Sequence, residues 1–104
     1  MNDKILSFLG LCRRAGKLIV GAEPSIESIN KHKAKLIIFA KDFSKNSSKP
    51  VLSAIHEHNI KALTLNRSKD ELSYAIGKLC GVVAVEDEGF AKKLIVLIEN
   101  DTEN

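Results

Sequence analysis

Two short runs, LIIFA at 36–40 and VVAV at 82–85, constrain this chain more than any other feature. Both are unbroken in apolar residues, both are too brief for a helix, and both are rich in β-branched side chains. A strand sends successive side chains to opposite faces, so an unbroken apolar strand needs cover on both sides. A sheet with one wet face would alternate polar and apolar residues instead. LIIFA therefore reads as a buried strand in a sheet covered on both faces, and VVAV as the last strand.

The remaining segments supply the outer layers. Ile5, Leu6, Phe8, Leu9, Leu11 and Cys12 recur at helical spacing, and Gly16 stops that helix after Arg13 and Arg14. LIV at 18–20 and ALTL at 62–65 read as two further short strands. GAEPSIESIN at 21–30 reads as a helix start, with acids suited to the positive end of the helix dipole and proline in the first turn. Ser47–Ser48–Lys49–Pro50 reads as the start of a third helix with Pro50 in its first turn, carrying an apolar stripe of Val51, Leu52 and Ile55 as far as Asn59. Ser68 and Glu71 form a capping-box pair for the helix over SKDELSYAIG, and Asp87 stands near the cap of a last helix at 89–99. Helices and strands thus alternate over nine elements with short connections. This predicts a three-layer α/β/α sandwich around a four-stranded mixed sheet. One domain is expected over 1–100, with a polar, fraying tail at 101–104.

Charge divides unevenly along the chain. Residues 86–104 hold two bases and six acids, net −4, whereas residues 1–85 hold fourteen bases and seven acids, net +7. A basic body suits a polyanionic partner, because each phosphate contact releases counterions. A solvated lysine-rich surface explains the same charge, so charge alone leaves both readings open.

Several function classes are disfavoured. No apolar run approaches the roughly 20 residues of a membrane span, and the N-terminal stretch has no A-x-A-like cleavage pattern, so no membrane association and a cytoplasmic location are expected. Cys12 and Cys80 form no C-x-x-C pair and read as free, buried thiols in a reducing compartment. His56 and His58 are two apart on a helix and point to different sides, so no metal site is expected there. Glu86–Asp87–Glu88 reads as a helix-start cluster stabilised by the dipole rather than a cation site. Phosphate-loop, dinucleotide and nucleophile-elbow motifs do not occur. No catalytic residue, metal or cofactor is expected.

The segments LGLCRRAGKLIVG (9–21), AKLIIFAKDFS (34–44), SKDELSYAIGK (68–78) and VVAVEDEGFAKKL (82–94) occur in this order and cover nearly the whole chain. Together they resemble the ribosomal-protein superfamily that binds kink-turn RNA, and within it the small bacterial YlxQ-like group. The resemblance implies an α/β/α sandwich and a non-catalytic RNA-binding role in ribosome or translation-related complexes. Its partners would be a structured RNA, such as rRNA or a kink-turn, and translation-factor proteins.

That resemblance also implies a site. The family opens the helix after its first strand with a G-x-N-E-x-x-K-like motif that grips sheared G·A pairs. Here Gly21 matches and Ala22 follows it, whereas Glu23, Pro24 and Glu27 stand where the family has Asn, Glu and Lys. Two carboxylates at a helix mouth repel a phosphate backbone, so the motif is altered in the direction that weakens a kink-turn. Lys17, Lys31 and Lys33 are expected to supply charge nearby, and Lys69 matches a basic residue flanking the surface. The family's second contact element, an apolar loop against a flipped base, corresponds to Leu79, Cys80, Gly81 and Val82. The alternative is a protein-interaction module on the same fold, whose acidified helix mouth recruits a basic partner and which no longer binds kink-turn RNA. Phe43 and Tyr74 are the aromatic residues suited to base stacking, because Phe8, Phe39 and Phe90 lie on apolar stripes.

Overall fold

The computed structural model describes residues 3–101. Its elements follow the expected alternation: α1 (Lys4–Arg14), β1 (Leu18–Val20), α2 (Ala22–Asn30), β2 (Leu36–Phe39), α3 (Lys45–His58), β3 (Ala62–Thr64), α4 (Lys69–Ile76), β4 (Val82–Val85) and α5 (Glu88–Glu99). The strands lie in the order β1-β4-β2-β3. β4 runs antiparallel to both β1 and β2, and β3 pairs parallel with β2, so the sheet is mixed.

The two apolar runs occupy the central positions β4 and β2, where every residue is buried. Period-two alternation divides them between two cores. Leu36, Ile38, Val83 and Val85 pack with α1, α4 and α5 through Leu9, Cys12, Leu72, Ile76 and Leu94. Ile37, Phe39, Val82 and Ala84 pack with α2 and α3 through Ile29, Val51 and Ala54. A one-residue slip of either strand would exchange the two sets, so this double burial also locks the register.

Helix ends follow local chemistry. Asp3, Ser44, Ser68 and Asp87 cap α1, α3, α4 and α5 with side-chain oxygens. At α4 the capping box closes in both directions, Ser68 Oγ accepting from Glu71 N–H at 3.1 Å and Glu71 Oε1 accepting from Ser68 N–H at 2.8 Å. The third helix departs from expectation. Ser44 Oγ accepts the Ser47 N–H at 3.0 Å, so α3 begins at Lys45 and Pro50 lies inside it rather than in its first turn. Pro50 sits on the exposed side, where the carbonyl one turn earlier that loses its N–H donor can turn to water. The buried stripe also differs from expectation: Val51 and Ala54 are buried, while Leu52 is 47% exposed.

Asp3 and Asp101, the first and last described residues, are both tied to one buried arginine. Arg67, 5% exposed, donates from Nε to Asp3 Oδ2 at 2.6 Å and from Nη1 to Asp101 Oδ2 at 3.0 Å. Asp101 therefore belongs to the packed domain; Thr102, Glu103 and Asn104 lie outside the described residues. No helix among the described residues is long and apolar enough to cross a membrane.

Candidate nucleic-acid interface

One end of the sheet gathers four loops, stitched together in the order of their strands. The Gly21 N–H, just past β1, donates to the Val82 carbonyl at the start of β4 at 3.0 Å. The Ala40 N–H, past β2, donates to the Gly81 carbonyl at 2.9 Å, and the next amide, Lys41, donates to the Arg67 carbonyl at 2.9 Å. Asp42 Oδ1 then accepts the Lys69 N–H at 2.7 Å. The result is a continuous rim running from the mouth of α2 to the start of α4.

Gly21 is required at the first position of this rim. It holds φ +105°, a conformation that costs an L side chain strongly, and its carbonyl accepts the first α2 bond from the Ser25 N–H at 3.1 Å. Pro24 is the third helical residue, where an N–H would have no partner inside the helix anyway. The Ala22 and Glu23 amides remain at the helix mouth, a compact donor pair for one acceptor. Glu27 does not point into that mouth. Its carboxylate is drawn one turn down the helix to Lys31 Nζ at 3.0 Å, so much of its charge is compensated there.

The second expected element lies directly beside the first, but only part of it is exposed. Leu79 is 85% exposed, whereas Cys80 is 8% exposed and the Val82 side chain fills the α2/α3 core. Cys80 and Val82 thus present backbone to the rim rather than side chains. Ser73 Oγ both accepts the Cys80 N–H at 3.0 Å and donates to the Cys80 carbonyl at 3.1 Å, pinning the loop against α4. Burial raises the pKa of the Cys80 thiol, against the smaller opposing effects of the Ser73 hydrogen bond, Arg13 and Lys78. The Cys12 thiol is pushed up to about 11 by burial and then by the charge of Asp87. Both cysteines are free and serve as packing. Gly81 lies under Phe43: a Cβ there would stand 2.3 Å from the ring's Cδ1. Phe43 in turn stacks on Phe39 with centroids 6.0 Å apart, so it is a wall of the rim rather than a free platform. Tyr74, 91% exposed, is the free aromatic among the described residues.

The expected lysines separate into two groups. Lys69 stands on the rim, three strand spacings from Gly21, or about 15 Å. Lys17, Lys31 and Lys33 do not reach the mouth. Lys17 precedes β1 at the opposite end of the sheet, where its carbonyl accepts from Glu86 N–H at 2.9 Å. Lys31 and Lys33 follow α2, whose nine residues carry them roughly 13 Å away. Adjacency in sequence to Gly21 placed them together on paper; strand and helix lengths part them in space. Arg13, in the last turn of α1, also bears on the rim. It donates from Nη1 to the Ile76 carbonyl at 2.8 Å and supports the turn into the 77–81 loop. A contact across 63 residues leaves no local signal. Lys41 likewise carries no local signal, and only the Arg67 bond brings it onto the rim.

Nothing in this rim forms a nucleophile–base pair, and no group of three His, Cys, Asp or Glu side chains among the described residues could hold a metal. The arrangement offers backbone donors, lysines and exposed apolar side chains, a binding chemistry.

Comparison with known proteins agrees with this geometry. The model of the Ribosomal protein L7Ae/L30e/S12e/Gadd45 family matches residues 3–95. An Enterococcus faecium protein named RNA-binding protein YlxQ is 40% identical over 98 residues, covering 94% of each chain. The protein of the same name from Bacillus subtilis (strain 168) is 37% identical over 92 residues, 88% of this chain and 91% of that one. Among solved structures, a Bacillus halodurans C protein of unknown function superposes with a TM-score of 0.87 at 31% identity, covering 95% of this chain and all (100%) of the other. A Giardia lamblia 15.5kD RNA binding protein reaches 0.72 at 18% identity over 95% of this chain and 91% of that one, which speaks to the fold alone.

Proposed function

The chain belongs to the Ribosomal protein L7Ae/L30e/S12e/Gadd45 family, and from that membership we propose that it is a non-catalytic RNA-binding protein. It holds a structured RNA against the rim formed by Gly21, Ala22 and Glu23 at the mouth of α2, by Leu79–Val82, and by Lys69. It acts in ribosome or translation-related complexes in the cytoplasm. The observation that carries the reading is the Gly21–Val82 hydrogen bond of 3.0 Å, which sets side by side the two elements that the family resemblance implies as contacts. The helix amides donate to one negative oxygen, the Leu79 loop takes an unstacked base, and lysines neutralise backbone phosphate.

The reading also includes an altered target. Glu23 and Pro24 remove the amide and carboxylate side chains that grip sheared G·A pairs, so a standard kink-turn binds weakly and the preferred RNA differs. A gel-shift titration against a standard kink-turn and against rRNA fragments, at two salt concentrations, tests this. Binding to rRNA fragments that exceeds kink-turn binding and weakens with salt is expected. Failure to shift either RNA at low salt removes the RNA reading and leaves the protein-interaction module.

A further inference from the structure

The β3 edge carries a groove that meets the rim at Lys41 and Phe43 and runs away from it along Ala62 and Thr64. Among the described residues β3 has β2 on one side and no strand on the other. The Ile37 N–H donates to the Lys61 carbonyl at 2.9 Å and the Leu65 N–H to the Phe39 carbonyl at 2.8 Å. In a parallel pair this turns the backbone groups of residues 61, 63 and 65 toward β2 and those of Ala62 and Thr64 outward. Free edges are commonly blunted by charge, proline or a covering loop. Here the outward residues instead line a groove whose walls are Phe39, Phe43 and Leu52, with Lys41 at one end.

Two features around this groove cost the fold stability. Leu52 is 47% exposed. Lys45 and Lys49 occupy the first turns of α3, where the helix dipole disfavours cations, and no acid stands in that first turn. Lys45, Lys49 and Leu52 follow i, i+4, i+7 spacing, so all three share one helix face. Lys61, at the other end of β3, is already paired with Glu99 at 3.3 Å, and Asp42 is engaged by the Lys69 amide.

We propose that the β3 edge is a docking strand for an extended, acidic peptide segment of a partner protein. The segment pairs with the outward backbone groups of Ala62 and Thr64, seats an apolar side chain between Phe43 and Leu52, and sets carboxylates against Lys41, Lys45 and Lys49. Only a polypeptide supplies the alternating N–H and C=O groups that a strand edge requires, whereas an RNA backbone offers acceptors alone along its phosphates. Every second residue of the peptide projects toward α3, where Leu52 shares a helix face with Lys45 and Lys49, so apolar and acidic residues at i, i+2 spacing meet groove and lysines together.

The test uses the full chain as bait for a displayed library of random decapeptides. Enriched sequences should be acidic with alternating apolar residues. Synthetic versions should shift the Ala62 and Thr64 amide resonances, and should bind roughly tenfold more weakly to a Lys45→Glu, Lys49→Glu double variant, the loss expected for two exposed ion pairs. Enrichment of neutral or basic peptides, no enrichment, or undiminished binding to the double variant overturns the proposal. So does an rRNA fragment that shifts the same two amides and displaces the peptide, because the groove then belongs to the RNA surface.

Discussion

Replacing Arg67 with methionine tests whether the chain ends hold the rim in shape. Arg67 is 5% exposed, and its partners Asp3 and Asp101 expose 17% and 15% of their side chains. Methionine keeps much of the volume and removes the charge, leaving two largely buried carboxylates without their shared cation. Breaking a buried ion pair from one side costs about 3–5 kcal/mol. At about 4–8 °C per kcal/mol for a domain near this size, the melting temperature should fall by at least about 12 °C. The rim should loosen too, because the Arg67 carbonyl accepts the Lys41 amide and the next residue caps α4. The pH dependence gives a second readout. Burial alone would raise the Asp3 carboxyl, but hydrogen bonds from Arg67 and Leu6, with the Arg67 charge, hold its pKa below the usual value. That stabilisation is fully present above the unfolded carboxylate pKa and disappears as pH falls through the lower folded value. In the variant the same carboxylates repel each other, and protonation relieves the repulsion. Urea unfolding at neutral pH and near pH 4, about the ordinary aspartate pKa, should show the variant's deficit shrinking at the acidic end. A deficit below about 1 kcal/mol, as for an exposed pair, or one unchanged with pH refutes the clamp.

Three further outcomes follow from the site. Gly81→Ala should cost about 1–3 kcal/mol in urea unfolding, because the new methyl forces Phe43 off Phe39, and it should weaken RNA binding; a neutral variant would mean that Phe43 swings clear freely. Ser25 is fully buried and its Oγ finds no hydrogen-bond partner among the described residues, so Ser25→Ala should leave stability unchanged or raise it by up to about 1 kcal/mol; a clear loss would reveal a partner for the hydroxyl. Glu27→Lys exchanges the Glu27–Lys31 pair for a like-charge pair, costing roughly 0.5 kcal/mol of helix stability, yet it should tighten RNA binding and steepen the salt dependence by about one phosphate contact; unchanged affinity and slope in an anisotropy titration would move the RNA to another face.

Much of the fold is legible residue by residue. LIIFA and VVAV demand cover on both faces, and the caps at Ser68 and Asp87 are written in short-range chemistry that the structure reproduces. Where reading failed, a competing local signal won. Ser47–Ser48–Pro50 is a plausible helix start, but Ser44 caps first; Leu52 lies outside the core because α3 buries the face of Val51 and Ala54. Asp101 looks like part of a polar tail until Arg67, 34 residues away, is brought beside it.

The sequence by itself determined the layers, because burial periodicity and capping act over a few residues. The family resemblance, rather than any local signal, implied contact roles for Gly21 and Leu79–Val82. Only the tertiary structure decided which members of that set meet. Sheet order brings the Gly21 amide to Val82, while strand and helix lengths send Lys17, Lys31 and Lys33 to the opposite end. It also buried the Cys80 and Val82 side chains. Such outcomes rest on pairing across tens of residues and on which face of a strand is covered, and neither leaves a trace in the identity of a residue or its neighbours.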